Sequence, residues 1–288
     1  RLAPGQLQAS SDPAAALKGA GVILVAVKSG QTAEIADTIV RHASPGAVVV
    51  SLQNGTRNVA TLRQLLADRH AVVPGMVPFN VRQSEDADGV LHVHRATSGT
   101  ILIGTNGPPH LKALLDVPHA QVATHDDMEA VQWGKLLLNL NNALNALSGI
   151  PLAQQLADRD WRRLLADQMR EAPACFRAAG IRSVGTEGIP VWLAPPILAL
   201  PDALFHLVAR RMLAIDLEAR SSMWEDLQRH RMTEVDHLQG AVLELARMHA
   251  VPTPVIARVT AAIKAAEKAA AGAPHLRPRD LRSGAKSA

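Results

Sequence analysis

Val22 to Val27 form an unbroken apolar run rich in β-branched residues, the pattern of a strand buried on both faces of a parallel sheet. From Thr32 to His42 the apolar positions recur at helical spacing, and Pro45-Gly46 ends that helix. Ala47 to Leu52 predicts a second buried strand, Asn58 to Ala67 a second helix, and His70 to Val73 a third strand. Strand and helix in alternation mean βαβ units with right-handed crossovers. From Gly89 the pattern changes. Val90 to Arg95 and Gly99 to Gly104 read as strands with a short polar connection, hence an antiparallel hairpin closing the edge of the sheet.

After Val122, Asp126 or Asp127 is placed to cap a long helix that runs to about Ser148, where Gly149 and Pro151 end it. Four further stretches carry apolar residues three and four apart: Arg159 to Ala179, Pro196 to Met212, Thr233 to His249 and Pro254 to Ala271. The organisation expected is an α/β domain over 1–124, an all-helical domain over 125–275, and a polar, basic, poorly ordered tail over 276–288.

A length of 288 residues favours two domains over one. The single cysteine, Cys175, excludes an internal disulfide and a cysteine-pair metal site, and makes a reducing compartment the default. No secretory signal pattern and no apolar stretch of roughly 20 residues is present, so the expected location is cytoplasmic. The net charge of +4 suits small anionic ligands, but the arginine pairs Arg162-Arg163 and Arg210-Arg211 are scattered and there is no tyrosine to stack bases. Nucleic acid is not an expected partner. His92 and His94 share one face of a strand, but no third metal ligand recurs nearby, and no metal is expected.

The candidate chemistry begins at Lys28, just past the first apolar strand, with Gln31 three residues later. Ligands of open parallel sheets bind beyond the carboxyl ends of the strands, so a lysine there is placed for a phosphate, or is simply solvated. Gln53-Asn54-Gly55 follows the second strand in the same way and is also an ordinary turn signal. Lys135 and Asn139, four apart, project from one side of the long helix and can face one ligand. Asn139, Asn141, Asn142 and Asn145 are poor helix formers among leucines, which points to a functional polar stripe. Glu234 opens the helix starting at Thr233, and Ser222 stands beside Ser221; either is also explained as a helix-terminal group.

Taken in order, Val27-Lys28, Gln31, Leu52-Gln53-Asn54-Gly55, Trp133-Gly134-Lys135, Asn139, Ser221-Ser222-Met223, Thr233-Glu234-Val235-Asp236 and Val251 to Pro254 resemble the ketopantoate reductase family. The resemblance implies a Rossmann-type domain followed by a helical domain like that of 6-phosphogluconate dehydrogenase. It implies reduction of a 2-oxo acid by NADPH, with ketopantoate as substrate, pantothenate synthesis as pathway and a homodimer through the helical domain. Lys135 would protonate the carbonyl oxygen and Glu234 would hydrogen-bond the substrate. Asn54, Asn139, Asn142 and Ser222 would orient the substrate, and Lys28, Gln31 and Asn54 would line the cofactor. The family pattern has asparagine where Ala143 and Ala219 stand here, which keeps open a related dehydrogenase with another substrate. No G-x-G-x-x-G occurs and the chain opens at Arg1, so an initial strand, phosphate loop and helix are expected to be missing ahead of it, and a non-catalytic member is the third alternative.

Overall fold

In a computed structural model, which describes residues 6–86, 89–95, 97–185, 190–209 and 218–282, the first apolar runs build a parallel sheet. After the short helix α1 (Pro13–Leu17) come β1 (Val22–Val25), α2 (Thr32–His42), β2 (Val48–Ser51), α3 (Asn58–Leu66) and β3 (Val72–Met76). β1 pairs with β2 and β2 with β3, both in parallel. Ala36 and Ile39 of α2 and Val59, Leu62 and Leu66 of α3 are buried against Val25, Val49 and Val72, so one stripe of each helix covers one face of the sheet.

The expected edge hairpin is not formed as such. β5 (Leu91–Arg95) pairs antiparallel with β4 (Val81–Glu85) in a separate two-stranded sheet. β6 (Ile101–Gly104) instead joins the main sheet, antiparallel to β3, and β7 (Val122–His125) follows α4 (Leu111–Leu115) to lie parallel to β6. The main sheet has the order β1-β2-β3-β6-β7. The separation follows from polarity and from a backbone turn: β5 is largely exposed, whereas Ile103 is buried. Between them the Arg95 guanidinium stacks 3.9 Å from the Phe79 ring centre and donates to the carbonyls of Thr97 and Gly99. Gly99 has φ +137°, and a Cβ there would stand 2.5 Å from the Pro78 ring, so only glycine suits this turn.

By packing, the chain divides into two units, Arg1–Val77 with Thr100–Met128 and Pro78–Gly99 with Glu129–Ala288. The second is built from α5 (Met128–Ser148), α6 (Leu152–Ala157), α7 (Arg159–Ala178), α8 (Ala194–Ala199), α9 (Asp202–Val208), α10 (Ser222–Gln228), α11 (Gln239–Met248), α12 (Pro254–Ala269) and α13 (Pro278–Arg282). Leu136, Leu140 and Leu144 of α5 share a core with Leu164 and Phe176 of α7, Val242 of α11 and Val259 and Ile263 of α12. Among the described residues no helix is long and apolar enough to cross a membrane.

Three helical expectations are corrected. The stretch Pro196 to Met212 is two helices, broken at Leu200-Pro201, because proline lacks the N–H a continuing helix needs and holds Leu200 extended; its last residues, 210–212, lie outside the described residues. The stretch Thr233 to His249 is helical only from Gln239. The Thr233 amide and hydroxyl are both taken by Glu267, and residues 235–238 form turns instead of a first helical turn. The tail is folded as far as Arg282: Leu281 is buried, and Arg282 donates to Asp160. Residues 283–288 lie outside the described residues.

Arg162 has no exposed surface, yet each face of its guanidinium fork is satisfied. It donates to the carbonyls of Leu156 (3.0 Å) and Ala157 (2.8 Å) at the end of α6, and to those of Leu198 (3.1 Å) and Leu200 (3.0 Å) at the end of α8. It also pairs with Asp202 at 2.7 Å and stacks 4.1 Å from the Phe205 ring centre. Helix ends leave carbonyls without partners, and here one cation serves two of them. Arg162→Met is therefore expected to lower stability by about 3 kcal/mol or more, because several buried acceptors lose their donor. A urea midpoint lowered by that loss divided by the unchanged slope checks this.

The Glu171 carboxylate on α7 accepts from the amides of Val255 and Ile256, both at 2.9 Å, at the start of α12. Burial pushes its pKa up, outweighing the lowering by those amides and by Arg258. A carboxyl raised in the folded state gives a contribution fully present below its unfolded pKa and lost as pH rises through the folded value. The stability of the parent relative to Glu171→Gln should therefore fall over that window and level off above it, as read from urea midpoints at successive pH values.

Candidate active site

The first unit presents its candidate residues on two loops tied together by buried amides. Gln53, after β2, is buried; its amide nitrogen donates to Val27 O (3.0 Å) and Thr32 Oγ1 (2.8 Å), and its oxygen accepts from Ser51 Oγ (3.1 Å). Asn58, the first residue of α3, donates to Ser29 Oγ (3.0 Å) and to Asn54 O, and its oxygen lies 2.9 Å from Thr32 Oγ1. Ser29 Oγ in turn donates to Asn54 O at 2.9 Å. The loop after β1 and the loop after β2 are thus one hydrogen-bonded body. Lys28 is half-buried at its rim, while Gln31 and Asn54 are exposed. Gly55 takes φ +91°, the conformation its Asn-Gly turn demands. Ser29, Thr32 and Asn58 are not among the residues the sequence singles out; their only signal is that they flank strand ends and helix starts.

In the second unit, α5 separates its asparagines by task. Lys135 is half-buried and its Nζ donates to Pro78 O at 3.3 Å; Asn139 is nearly buried, and Asn142 continues the same side of the helix. Asn145 points elsewhere and has no exposed surface: its oxygen accepts from Ser221 N (2.8 Å), and its nitrogen donates to Ile150 O (2.9 Å) and Gln155 Oε1 (3.1 Å). Gln155 donates onward to Asn141 Oδ1 at 2.9 Å. Two of the four asparagines are therefore used in packing helices together, and the polar stripe is narrower than its composition suggests.

Ser221, rather than Ser222, caps α10: its Oγ accepts from Trp224 N (3.2 Å) and donates to Asn142 O (3.0 Å), which leaves Ser222 exposed on the first turn. Glu234 does not open a helix as expected but lies half-buried in a bend. Just beyond it, Gln239 donates to Leu140 O at 3.0 Å. The Ser221-Ser222 segment and the start of α11 are thus both anchored on α5 at Leu140 and Asn142, within one turn of Asn139. Gly134 admits a further segment: Val184 N donates to Ala130 O (3.0 Å), and a Cβ on Gly134 would stand 1.8 Å from Val184 O. The Trp133 ring meets Phe176 edge-on at 4.8 Å, fixing the start of α5 from the other side.

A cavity of about 690 Å³ between α7 and the stretches 181–185 and 190–196, lined by Phe176, Arg177 and Trp192 among others, includes none of the candidate residues. Of the histidines on β5, His92 lies 2.8 Å from Asp86 and His94 is exposed.

The family model described as ketopantoate reductase PanE/ApbA matches residues 4–108, and that for its C-terminal part matches residues 127–267. A 2-dehydropantoate 2-reductase of Halobacterium salinarum is 30% identical over 90% of this chain and 80% of its own length. The PanE/ApbA family ketopantoate reductase of Ralstonia eutropha superposes with a TM-score of 0.72 at 28% identity, over 91% of this chain and 80% of that one. The dimeric ketopantoate reductase of Staphylococcus aureus shares the fold, with a TM-score of 0.63 at 18% identity over 87% and 78% of the two chains. The two family models match consecutive parts of the chain and together cover most of it, and the chain belongs to the ketopantoate reductase family.

Proposed function

We propose that this protein reduces a 2-oxo acid to the 2-hydroxy acid with NADPH, and that the acid is 2-dehydropantoate, giving pantoate for pantothenate biosynthesis. The observation that carries the reading is the shared stretch of α5: Lys135 and Asn139 project from one side, and the Ser222 and Glu234 segments are anchored at Asn142 and Leu140. The fit to a dinucleotide rests on the two parallel strands whose carboxyl ends present Lys28, Gln31 and Asn54 on hydrogen-bonded loops. Lys28 and Gln31 would hold the phosphate side of the cofactor, with Asn54 beside them.

NADPH, when bound, supplies the hydride that reaches the carbonyl carbon. The Lys135 ammonium stabilises the negative charge growing on the carbonyl oxygen and delivers its proton there, leaving an alcohol and a neutral amine that solvent reprotonates. Glu234 accepts a hydrogen bond from a substrate hydroxyl, and Asn139, Asn142 and Ser222 orient the acid. The same reading carries a cytoplasmic location and a pair of copies joined through the helical unit, in keeping with the dimeric Staphylococcus aureus protein.

A different 2-oxo acid is the second reading, and Ala143 favours it. That side chain has no exposed surface and packs in the helical core, so the donor the family pattern has at this position is absent. A site short of one donor discriminates its hydroxylated substrate less well.

The test is NADPH oxidation with ketopantoate and a panel of other 2-oxo acids. Turnover fastest with ketopantoate supports the first reading, turnover with another acid the second, and failure to bind NADPH or turn over any acid removes both. Lys135→Ala is expected to lower kcat by about 10²-fold or more with an unchanged circular dichroism spectrum. Near-normal turnover would take Lys135 out of the mechanism.

A further inference from the structure

Glu234 lies in irregular backbone, where local order is usually least, and yet the reading above asks its carboxylate to meet a substrate within a fraction of an ångström. The segment is held from outside. On its amino side, Thr233 N and Thr233 Oγ1 both donate to Glu267 Oε1, at 2.8 Å and 2.7 Å. On its carboxyl side, Asp236 is paired with Lys264. Lys264 and Glu267 stand three apart on α12 and are joined to each other at 3.1 Å, so both ends of the segment reach one fixture. Val235, between them, is fully buried, and its amide donates to Thr233 Oγ1 at 3.2 Å.

We propose that Glu267 and Lys264 are positioning residues for Glu234, a clamp on α12 that fixes the backbone on either side of the substrate-binding carboxylate. The inference rests on the functional reading of Glu234. The burial of the clamp is what a purely solvated ion pair would lack: the Glu267 side chain is only 4% exposed, and a carboxylate so buried requires its partners. Burial pushes the Lys264 ammonium down, but the hydrogen bonds to Asp236 and Glu267 outweigh it and hold its pKa above the ordinary lysine value. Lys264 therefore stays charged through neutral pH. A surface pair that merely decorated α12 would leave Thr233 free to start a helix, and the observed helix begins six residues later, at Gln239.

The test is a double-mutant cycle in steady-state kinetics with NADPH and the best 2-oxo acid of the panel, using Glu234→Ala, Glu267→Met, which has no oxygen to accept from Thr233, and the pair. The expected result is a rise of about 10-fold or more in KM for the oxo acid in Glu267→Met, with KM for NADPH unchanged. In the Glu234→Ala background the same substitution should add less than about twofold, because its target is already gone. Additive effects, or equal losses for oxo acid and NADPH, would mean a general structural role and overturn the clamp. Lys264→Met keeps the Thr233–Glu267 bonds and should show the same selective rise if Glu267→Met does not fold; an unchanged KM in that variant would also overturn it. If Glu234→Ala itself kinetically matches the parent, or the parent turns over no oxo acid, the functional reading fails and the clamp fails with it.

Discussion

A buried amide has to find partners for three or four hydrogen-bonding positions or cost the fold more than it contributes, and Asn145 meets that demand by joining three segments. Its oxygen takes the Ser221 amide, and its nitrogen reaches the carbonyl of Ile150 and the side chain of Gln155. Any slide of α10 along α5 would leave both Asn145 Oδ1 and Ser221 N buried and unpaired. The start of α10 is therefore held in register with the helix that carries Lys135 and Asn139. A hydrophobic contact could supply the same burial but not the same register, since apolar packing tolerates small slips that a directional bond does not.

The α/β unit solves a similar problem with the same chemistry. Two loops at adjacent strand ends would each be loose alone, because short irregular backbone has few contacts to hold it. Gln53 and Asn58 cross-link them through Val27, Ser29, Thr32 and Asn54, so that polar groups meant for solvent sit on a rigid rim. The interior partners are short side chains, Ser29, Thr32 and Ser51, which lose little rotamer entropy on burial. The longer Lys28 and Gln31 stand at the rim, Lys28 half-buried and Gln31 exposed. Rigidity below and reach above are thus assigned to different residue types.

The α/β half is legible in the sequence where burial is two-sided. Val49 to Ser51 are buried on both faces, whereas in Val22 to Val25 only Ile23 and Val25 are buried and Leu24 is half-exposed, so the first run is a strand covered on one face and not on both; Thr32 to His42 is a helix with the bounds that spacing predicts. The hairpin expectation fails because β5 and β6 look alike in propensity and differ in what covers them: β6 is drawn into the main sheet by Ile103, while β5 stays with β4. Helix starts escape a local reading where a distant side chain intervenes. Nothing local to Thr233 announces that Glu267, thirty-four positions on, will take its amide. Of the candidate residues, Lys135 and Asn139 are visible because helical spacing alone puts them together, whereas the network of Ser29, Thr32 and Asn58 depends on a pairing of loops that only the sheet order creates.

The asparagine run on α5 shows how composition overstates function. Four asparagines in a leucine-rich helix ask for a reason, and the helix supplies two: Asn141 and Asn145 hold neighbouring helices, and Asn139 and Asn142 lie on the side of Lys135. Ala143 belongs with neither pair. It sits in the apolar core with no exposed surface, and an asparagine placed there to match the family pattern would have to bury its amide among Leu140, Leu144 and Leu147. In this chain the alanine is therefore what the helix packing requires, and under the proposed function a substrate-facing amide beyond Asn139 would come from Asn142, one position earlier and about 100° around the helix. Moving a donor by that angle changes the direction from which it meets the acid. Under the proposed function the preferred substrate would thus follow from how α5 is packed as much as from which polar residues it carries.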